Sequence, residues 1–408
     1  MSRPIRRDAA HPLLGNPRQH RLRFVGGNDF RLYDCGKRAF PDMLETIRSA
    51  TRSICLETYT LRSDRIGRAV VGALEERAAC GVHVRVLFDA IGSLGFDAAA
   101  FEPLVTAGGE VLAFDPPWRD VSAVRRLRKR NHRKLLIVDD ETAFTGGLNI
   151  GDEYDGFALP EEGEPVWRDT HLRVRGPVLA EYRRAFEETW EDQRDRSTSF
   201  PSDRPGKAEL AKAPDEAIGP PRDDMRIRMA VIADGRRRNR RRTARTIARA
   251  IDRSQASVRL ASPYFAPGTR ILRALRRAAR RGVRVEILTT GHIDHRILQW
   301  AHHATAHSLM DAGVRFFEFS PAMMHAKCSV FDERLAIVGS TNLDRQSLIH
   351  AHELNTVIDD EDATRRIHDL VERDLDYSHE LTPTLLAHRP WWVRLRDFVA
   401  ARFVAAWL

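Results

Sequence analysis

The sequence predicts an α/β fold built twice over, each half an α-β-α sandwich. Three observations carry this. The order helix, strand, helix, strand recurs in both halves, the strands read as apolar runs, and a set of chemistry-bearing residues repeats at matching points. In the first half, LETIRSATRSICLETYTL gives a helix and a strand, AVVGALEERAACG a second helix and VHVRVLFDA a second strand. In the second, RTIARAIDRSQASVRLASPYF, ILRALRRAARRG and VRVEILTTG repeat that order, with Gly81 and Gly282 as helix stops. AGGEVLAF and DAGVRFFEF match next. KLLIVDD and KCSVFDE then read as buried strands, and AFTGGLN and AIVGSTN as strand-to-loop turns. Parallel strands joined by helices bury both faces of a sheet, hence the sandwich. The expected first half is 1–195 and the second 225–380. Between them, 196–224 carries five Pro with several Ser, Asp and Gly, the composition of a connection.

A chain of 408 residues holds two ordinary domains or one large duplicated unit, and 42% hydrophobic residues are ample for a core. Charged residues at 30% argue against general disorder. The net charge of +9 points to an anionic partner, either nucleic acid or an acidic membrane surface, and charge alone does not choose. Cys35, Cys55, Cys80 and Cys328 are scattered, without zinc or redox spacing, and read as small buried residues in a reducing compartment. MSRPIRRDAAHPLLGNPRQH lacks the apolar stretch of a signal peptide, and no run approaches bilayer-spanning length. The expectation is a protein on the cytosolic side.

Chemistry concentrates in a pattern, H-x-K-x-x-x-x-D, written twice: His132, Lys134 and Asp139, then His325, Lys327 and Asp332. Each copy is followed by a small residue and an Asn, namely Gly147 with Asn149 and Ser340 with Asn342. Histidine exchanges protons or attacks phosphorus near neutral pH, while Lys and Asn suit an anionic phosphate. Two sets supply a nucleophile and a general acid. Of the 66 basic residues only six are Lys, and two of those six sit inside the motifs. A compact ammonium is not interchangeable with a planar guanidinium at a tight phosphate site. The competing reading, core histidines with surface lysines, does not explain a matched pair with matched asparagines.

These residues resemble the phospholipase D superfamily, and within it the bacterial cardiolipin synthases, especially the B type without N-terminal membrane helices. The resemblance rests on LETYTLRSDRIG, RNHRKLLIVDD, GGLNIGDEY, WRDTHLRVRGP, SPYFAP, MHAKCSVFDE, GSTNLDRQS and HELN, across most of 40–375. It implies two pseudo-twofold-related halves that bring His132 and His325 to one phosphate. One His becomes a phosphohistidine and the other serves as acid, then base. The members that use the N-terminal His favour His132 as nucleophile. Lys134, Lys327, Asn149, Ser340 and Asn342 would hold phosphate oxygens. Asp169 and Glu353 match the family carboxylates that accept the Nδ1 proton of each His. Asp139 and Asp332 then either pin the motif loops or orient their own histidines. Glu57, Tyr59 and Tyr264 either line the pocket or pack beneath it. The scheme needs no metal or other cofactor.

The end of the chain, PWWVRLRDFVAARFVAAWL, is expected to form an amphipathic helix over 390–408. Trp391, Leu395, Phe398, Val399, Phe403 and Trp407 fall along one side. It suits either the headgroup region of a membrane or docking on the core. RRRNRRR at 236–242 suits either a solvated helix entry or contact with an anionic surface. Together these features imply a peripheral enzyme on the cytoplasmic face of an anionic phospholipid membrane. It would transfer a phosphatidyl group from phosphatidylglycerol or phosphatidylethanolamine to phosphatidylglycerol. A lipid hydrolase with the same covalent step is the first alternative. A nucleic-acid phosphodiesterase is the second, and no nucleic-acid partner is expected.

Overall fold

The computed structural model describes residues 11–15, 22–116, 129–157, 159, 167–195, 226–235, 241–292 and 296–407. The expected connection at 196–224 and most of the RRRNRRR run, 236–240, lie outside the described residues.

The first half runs β1 (Val25–Tyr33), α1 (Gly36–Arg48), β2 (Ser53–Thr58), α2 (Arg65–Ala79), β3 (His83–Asp89), a short α3 (Glu102–Thr106) and β4 (Glu110–Phe114). It continues through β5 (Leu135–Val138), β6 (Thr142–Gly146), β7 (His171–Arg175) and α4 (Leu179–Arg194). The second runs β8 (Ile227–Asp234), α5 (Arg242–Arg253), β9 (Ser257–Ala261), β10 (Phe265–Ala266), α6 (Thr269–Arg280), β11 (Arg284–Thr290) and α7 (Arg296–Met310). After these come β12 (Arg315–Phe319), β13 (Cys328–Phe331), β14 (Leu335–Gly339), β15 (Leu343–Asp344), β16 (Glu353–Asp359), α8 (Glu361–Asp376) and β17 (Ser378–Leu381). A short α9 (Pro383–Ala387) and α10 (Trp391–Trp407) close the order.

Strand order states the duplication. One half reads β4-β3-β2-β5-β6-β7-β1, the other β8-β16-β14-β13-β9-β11-β12-β17, and antiparallel β1 and β8 join them into one sheet of 15 strands. The parallel expectation holds for β2, β3 and β4 and for β9, β11 and β12. It fails for the motif strands. β5 and β6 are antiparallel, as are β13 and β14, because each pair is closed by a tight turn that cannot reverse a parallel pair. Asp139 and Asp140 (φ 54° and 57°) and Asp332 and Glu333 (φ 50° and 52°) take the two left-handed positions of these turns. Gly81 and Gly282 end their helices in the same left-handed region, where a Cβ is disfavoured.

Side chains alternate across the sheet. Ile54, Leu56, Leu136 and Val138 pack with α1 and α2, whereas Cys55, Leu135 and Ile137 pack toward Tyr182, Phe186 and Trp190 of α4. In the second half Val258, Leu260 and Ile337 face α5 and α6, and Ala336 and Val338 face Ile367 and Val371 of α8. One cluster holds residues of α4, α8 and both half-sheets, so the halves share a core.

Candidate active site

Each motif histidine stands three residues before the start of its strand, His132 before β5 and His325 before β13, and each is fastened to the opposite half. The His132 N–H donates to the His352 carbonyl at 2.9 Å, and His352 N–H donates to Arg130 at 2.8 Å. The His325 N–H donates to the Arg168 carbonyl at 2.7 Å, and Arg168 N–H donates to Met323 at 2.9 Å. His352 and Arg168 each precede a carboxylate, Glu353 and Asp169. Sheet register makes those two equivalent: Gly146 faces His171, Gly339 faces Asn355, and each carboxylate lies two residues before the facing residue. Backbone pairing thus delivers the carboxylate of one half to the imidazole of the other.

Asp169 Oδ2 lies 2.6 Å from His325 Nδ1. Glu353 lies 3.2 Å from His132 Nδ1, which also meets the Ser340 carbonyl at 2.9 Å. A carbonyl only accepts, so Nδ1 carries the proton and Nε2 is left as the basic nitrogen. Burial, then Lys134 and Lys327, hold His132 well below the usual imidazole range. Burial, then Lys327, push His325 down to about 3. The two carboxylates differ. Burial raises Glu353 to about 7 against the pull of Lys134, whereas for Asp169 the adjoining His325 and Lys327 outweigh burial and hold it below the carboxylate range. Both lysines are almost fully buried, and each donates to the carbonyl of its own motif histidine, Lys134 at 2.8 Å. Burial and the charge on Lys327 bring Lys134 down to about 7.

Not every expected residue belongs with the imidazoles. Asp139 and Asp332, counted with the catalytic set, sit at the far ends of β5 and β13. Asp139 accepts from the backbone N–H groups of Thr51, Arg52 and Ser53 at 2.8 Å each. Asp332 accepts from Gln255, Ala256 and Ser257 at 2.8–2.9 Å. They tie the hairpin turn to the start of the neighbouring strand and touch neither histidine. Ser340, expected on the phosphate, instead donates its hydroxyl to Glu353 and accepts from the Leu354 N–H at 3.0 Å. Asn149 donates to the Tyr154 hydroxyl at 2.6 Å and accepts from the Thr60 N–H at 3.3 Å, which leaves one amide hydrogen. Buried Asn342 keeps Oδ1 without a hydrogen bond among the described residues. Where Ser340 stands, the first half has Gly147, and a Cβ there would come within 1.8 Å of Asp169 Oδ1. Space for Asp169 explains the Gly.

Rings frame the pair. Tyr59 meets His132 edge-on at 4.8 Å between centroids, and Lys134 Nζ lies 5.2 Å from the Tyr59 ring. Trp167 and Tyr154 lie 5.2 Å and 5.6 Å from His325. Glu57 is buried one shell out, accepting from Asn131 at 2.9 Å. Asp89, at the end of β3, accepts the Asn131 N–H at 2.7 Å, and Thr290, its counterpart in β11, accepts the Met324 N–H at 3.1 Å. Arg168 is locked to Asp374 of α8, with neither exposed, and also donates to the Asp169 carbonyl. Sequence reasoning missed Tyr154, Trp167, Asp89 and Arg168. The one signal for Asp89 was its matched place at a strand end. Among the described residues no group of three or more His, Cys, Asp or Glu is placed to hold a metal ion.

The geometry is therefore two buried imidazoles, each oriented from behind by a carboxylate of the other half, with a buried lysine bonded to the backbone of each motif histidine. A family model described as "Cardiolipin synthase, PLD-like domain" matches residues 43–190 and 247–375, one segment in each half. The chain belongs to the cardiolipin synthase, PLD-like family. A cardiolipin synthase of Staphylococcus aureus (strain Mu50) is 31% identical over 373 residues, covering 91% of this chain and 72% of the relative. Cardiolipin synthase 1 of Staphylococcus epidermidis is 31% identical over 374 residues, covering 91% and 73%. The crystal structure of phosphatidylserine synthase from Haemophilus influenzae Rd KW20 aligns with a TM-score of 0.70, covering 95% of this chain and 96% of that one. At 15% identity that likeness speaks for the fold, and the two-segment family match agrees with the mirrored strand order.

Proposed function

We propose that the chain makes cardiolipin by passing a phosphatidyl group to phosphatidylglycerol through a phosphohistidine on His132. Cardiolipin synthase relatives and the family match support the reaction class. The observation that carries the chemistry is the crossed pairing of each imidazole with the other half's carboxylate. His132 Nε2 attacks phosphorus, the bond to the leaving alkoxide breaks, and protonated His325 gives that oxygen its proton. An incoming phosphatidylglycerol hydroxyl then returns a proton to His325 and attacks phosphorus as the N–P bond breaks. Division of labour follows the carboxylates. Burial disfavours an imidazolium at His325 in the free site, whereas an ionised Asp169 at 2.6 Å together with the negative charge of a bound phosphodiester favours it in the complex. Glu353, raised toward neutrality, leaves His132 the neutral nucleophile. Lys134, Lys327, Asn149 and Asn342 hold the non-bridging oxygens, while Ser340 positions Glu353. The enzyme works at the cytoplasmic face of an anionic phospholipid membrane, with phosphatidylglycerol or phosphatidylethanolamine as donor, and 390–408 as its membrane-association helix.

Lipid extracts from a cardiolipin-deficient bacterial host test this. Cardiolipin should appear with the wild-type chain and be absent with His132→Ala. Phosphatidic acid as the dominant product would instead identify a hydrolase, with water as acceptor.

A further inference from the structure

The last helix is docked with its faces reversed. On α10, Val393, Asp397 and Ala400 are buried, whereas Trp391 is 75%, Trp392 57%, Leu395 53% and Phe398 59% exposed. Polar groups hold the inward face. Arg389 and Arg396 donate to Asp397 at 2.9 Å and 2.8 Å. Arg389 also meets His303 of α7 at 2.9 Å, and His303 meets Glu318 of β12 at 3.0 Å. The Arg396 guanidinium lies 4.3 Å from the Trp300 ring of α7. A helix that merely completed a core would bury its rings and leave its ions in water. This one does the opposite.

Between α7 and α10 runs a groove of about 500 Å³, lined by Ile297, Trp300, Trp392, Leu395 and Val399 with Arg396 beside them. Leu385 of α9, 59% exposed, adds to the outward apolar surface. Charge tells what fits it. Asp397 is the sole acid of α10 and is buried, so the helix presents only apolar side chains and cations outward, Arg394 and Arg402 among them. A second copy of the chain would set like charges together, whereas an anionic leaflet would be attracted. Its helices do not reach across: among the described residues none is long and apolar enough to span a bilayer.

We infer that α7, α9 and α10 form a bilayer-docking surface, in which the rings of α10 enter the headgroup and acyl boundary and the groove receives an acyl chain. This rests on the phosphatidyl-transfer reading for its lipid substrate. The surface is coupled to the site through β10, which packs against both helices and pairs in parallel with β15, directly after Asn342. Docking there would set the motif loop of the second half at the membrane surface. The Arg389–Asp397–Arg396 latch is what keeps the polar face of α10 inward.

The test is sedimentation of the full chain with vesicles of phosphatidylglycerol and phosphatidylcholine in equal parts, and with phosphatidylcholine alone. The wild-type chain should partition onto the first at least tenfold better than onto the second, and brominated acyl chains should quench its tryptophan fluorescence. Leu395→Glu with Phe398→Glu should lower partition at least tenfold, and Arg394→Glu with Arg402→Glu should abolish the preference for phosphatidylglycerol. All four positions are exposed, and a thermal midpoint near the wild-type value confirms folding. Partition by the apolar variant at the wild-type level overturns the inference. So does light scattering that finds a wild-type dimer which these substitutions split, since a second copy would then be the occupant. A wild-type chain that partitions but makes no cardiolipin refutes the reaction and leaves the docking surface standing.

Discussion

Lys134 has the most consequential environment in the site. Burial and the nearby charge of Lys327 lower its affinity for a proton to about 7, so the free enzyme holds this ammonium only weakly at neutral pH. On the proposed mechanism an arriving phosphodiester anion reverses that by pairing with it. The charged form is present below the shifted value and lost above it. Because kcat/KM reports the free enzyme, it should fall as pH rises through about 7. On the acid side, His132 lies well below the imidazole range and stays neutral, so no loss is expected between pH 6 and 7 from that group. A pH profile of kcat/KM checks both limbs, and a plateau extending past pH 9 would show that Lys134 is not the phosphate ligand. Residue identities at this scale were legible: both His, both Lys, and the two distant carboxylates came from the repeat and the family pattern. What was not legible was which carboxylate serves which imidazole. Asp169 belongs to the His of the other half, and nothing in a linear pattern specifies a crossing.

At the scale of elements, the motif aspartates change meaning. Asp139 opens a tight turn with a left-handed backbone and collects three backbone N–H groups from the start of β2. Those bonds hold its carboxyl below the usual range even though burial opposes them. Asp139→Ala should destabilise the fold by about 1–2 kcal/mol, since water can reach part of the freed backbone. Its kcat should stay near the parent value, against the loss of about 10²- to 10⁴-fold expected on removing a general acid or base. Urea melts and turnover on the same preparation separate the two. The sequence carried both readings of this Asp, and geometry selects the turn. Strand direction had the same fate. KLLIVDD and KCSVFDE were readable as buried strands, but an apolar run does not reveal whether its neighbour runs with it or against it. The left-handed pairs at 139–140 and 332–333 do.

For the whole molecule, the decisive feature is that each motif imidazole takes its carboxylate partner from the other half. Arg168, with Asp374 of α8 as its partner, is the ion pair most deeply set in this interlock, and it also supports the Asp169 backbone. Asp374→Ala would leave a guanidinium buried without its counter-charge, at a cost of about 3–5 kcal/mol. The urea midpoint should fall accordingly, and turnover should drop with it because Asp169 loses its footing. A stability change under about 1 kcal/mol would mean that water reaches Arg168 in place of the carboxylate.

By itself the sequence determined the duplication and the strand and helix content, and it named His132, Lys134, Asn149, Asp169, His325, Lys327, Asn342 and Glu353 as candidates for the chemistry. The duplication, the element content and the two repeated His, Lys and Asn sets follow from local periodicity, repetition and residue type, which need no partner to be read, whereas Asp169 and Glu353 come from the family resemblance. The tertiary structure decided the crossed carboxylates, the diversion of Ser340 to Glu353, the turn role of the motif aspartates and the outward face of α10. Each depends on which side chains meet across the seam of β1 and β8 or on the surface of α7, and such meetings are set by the packing of elements far apart in the chain.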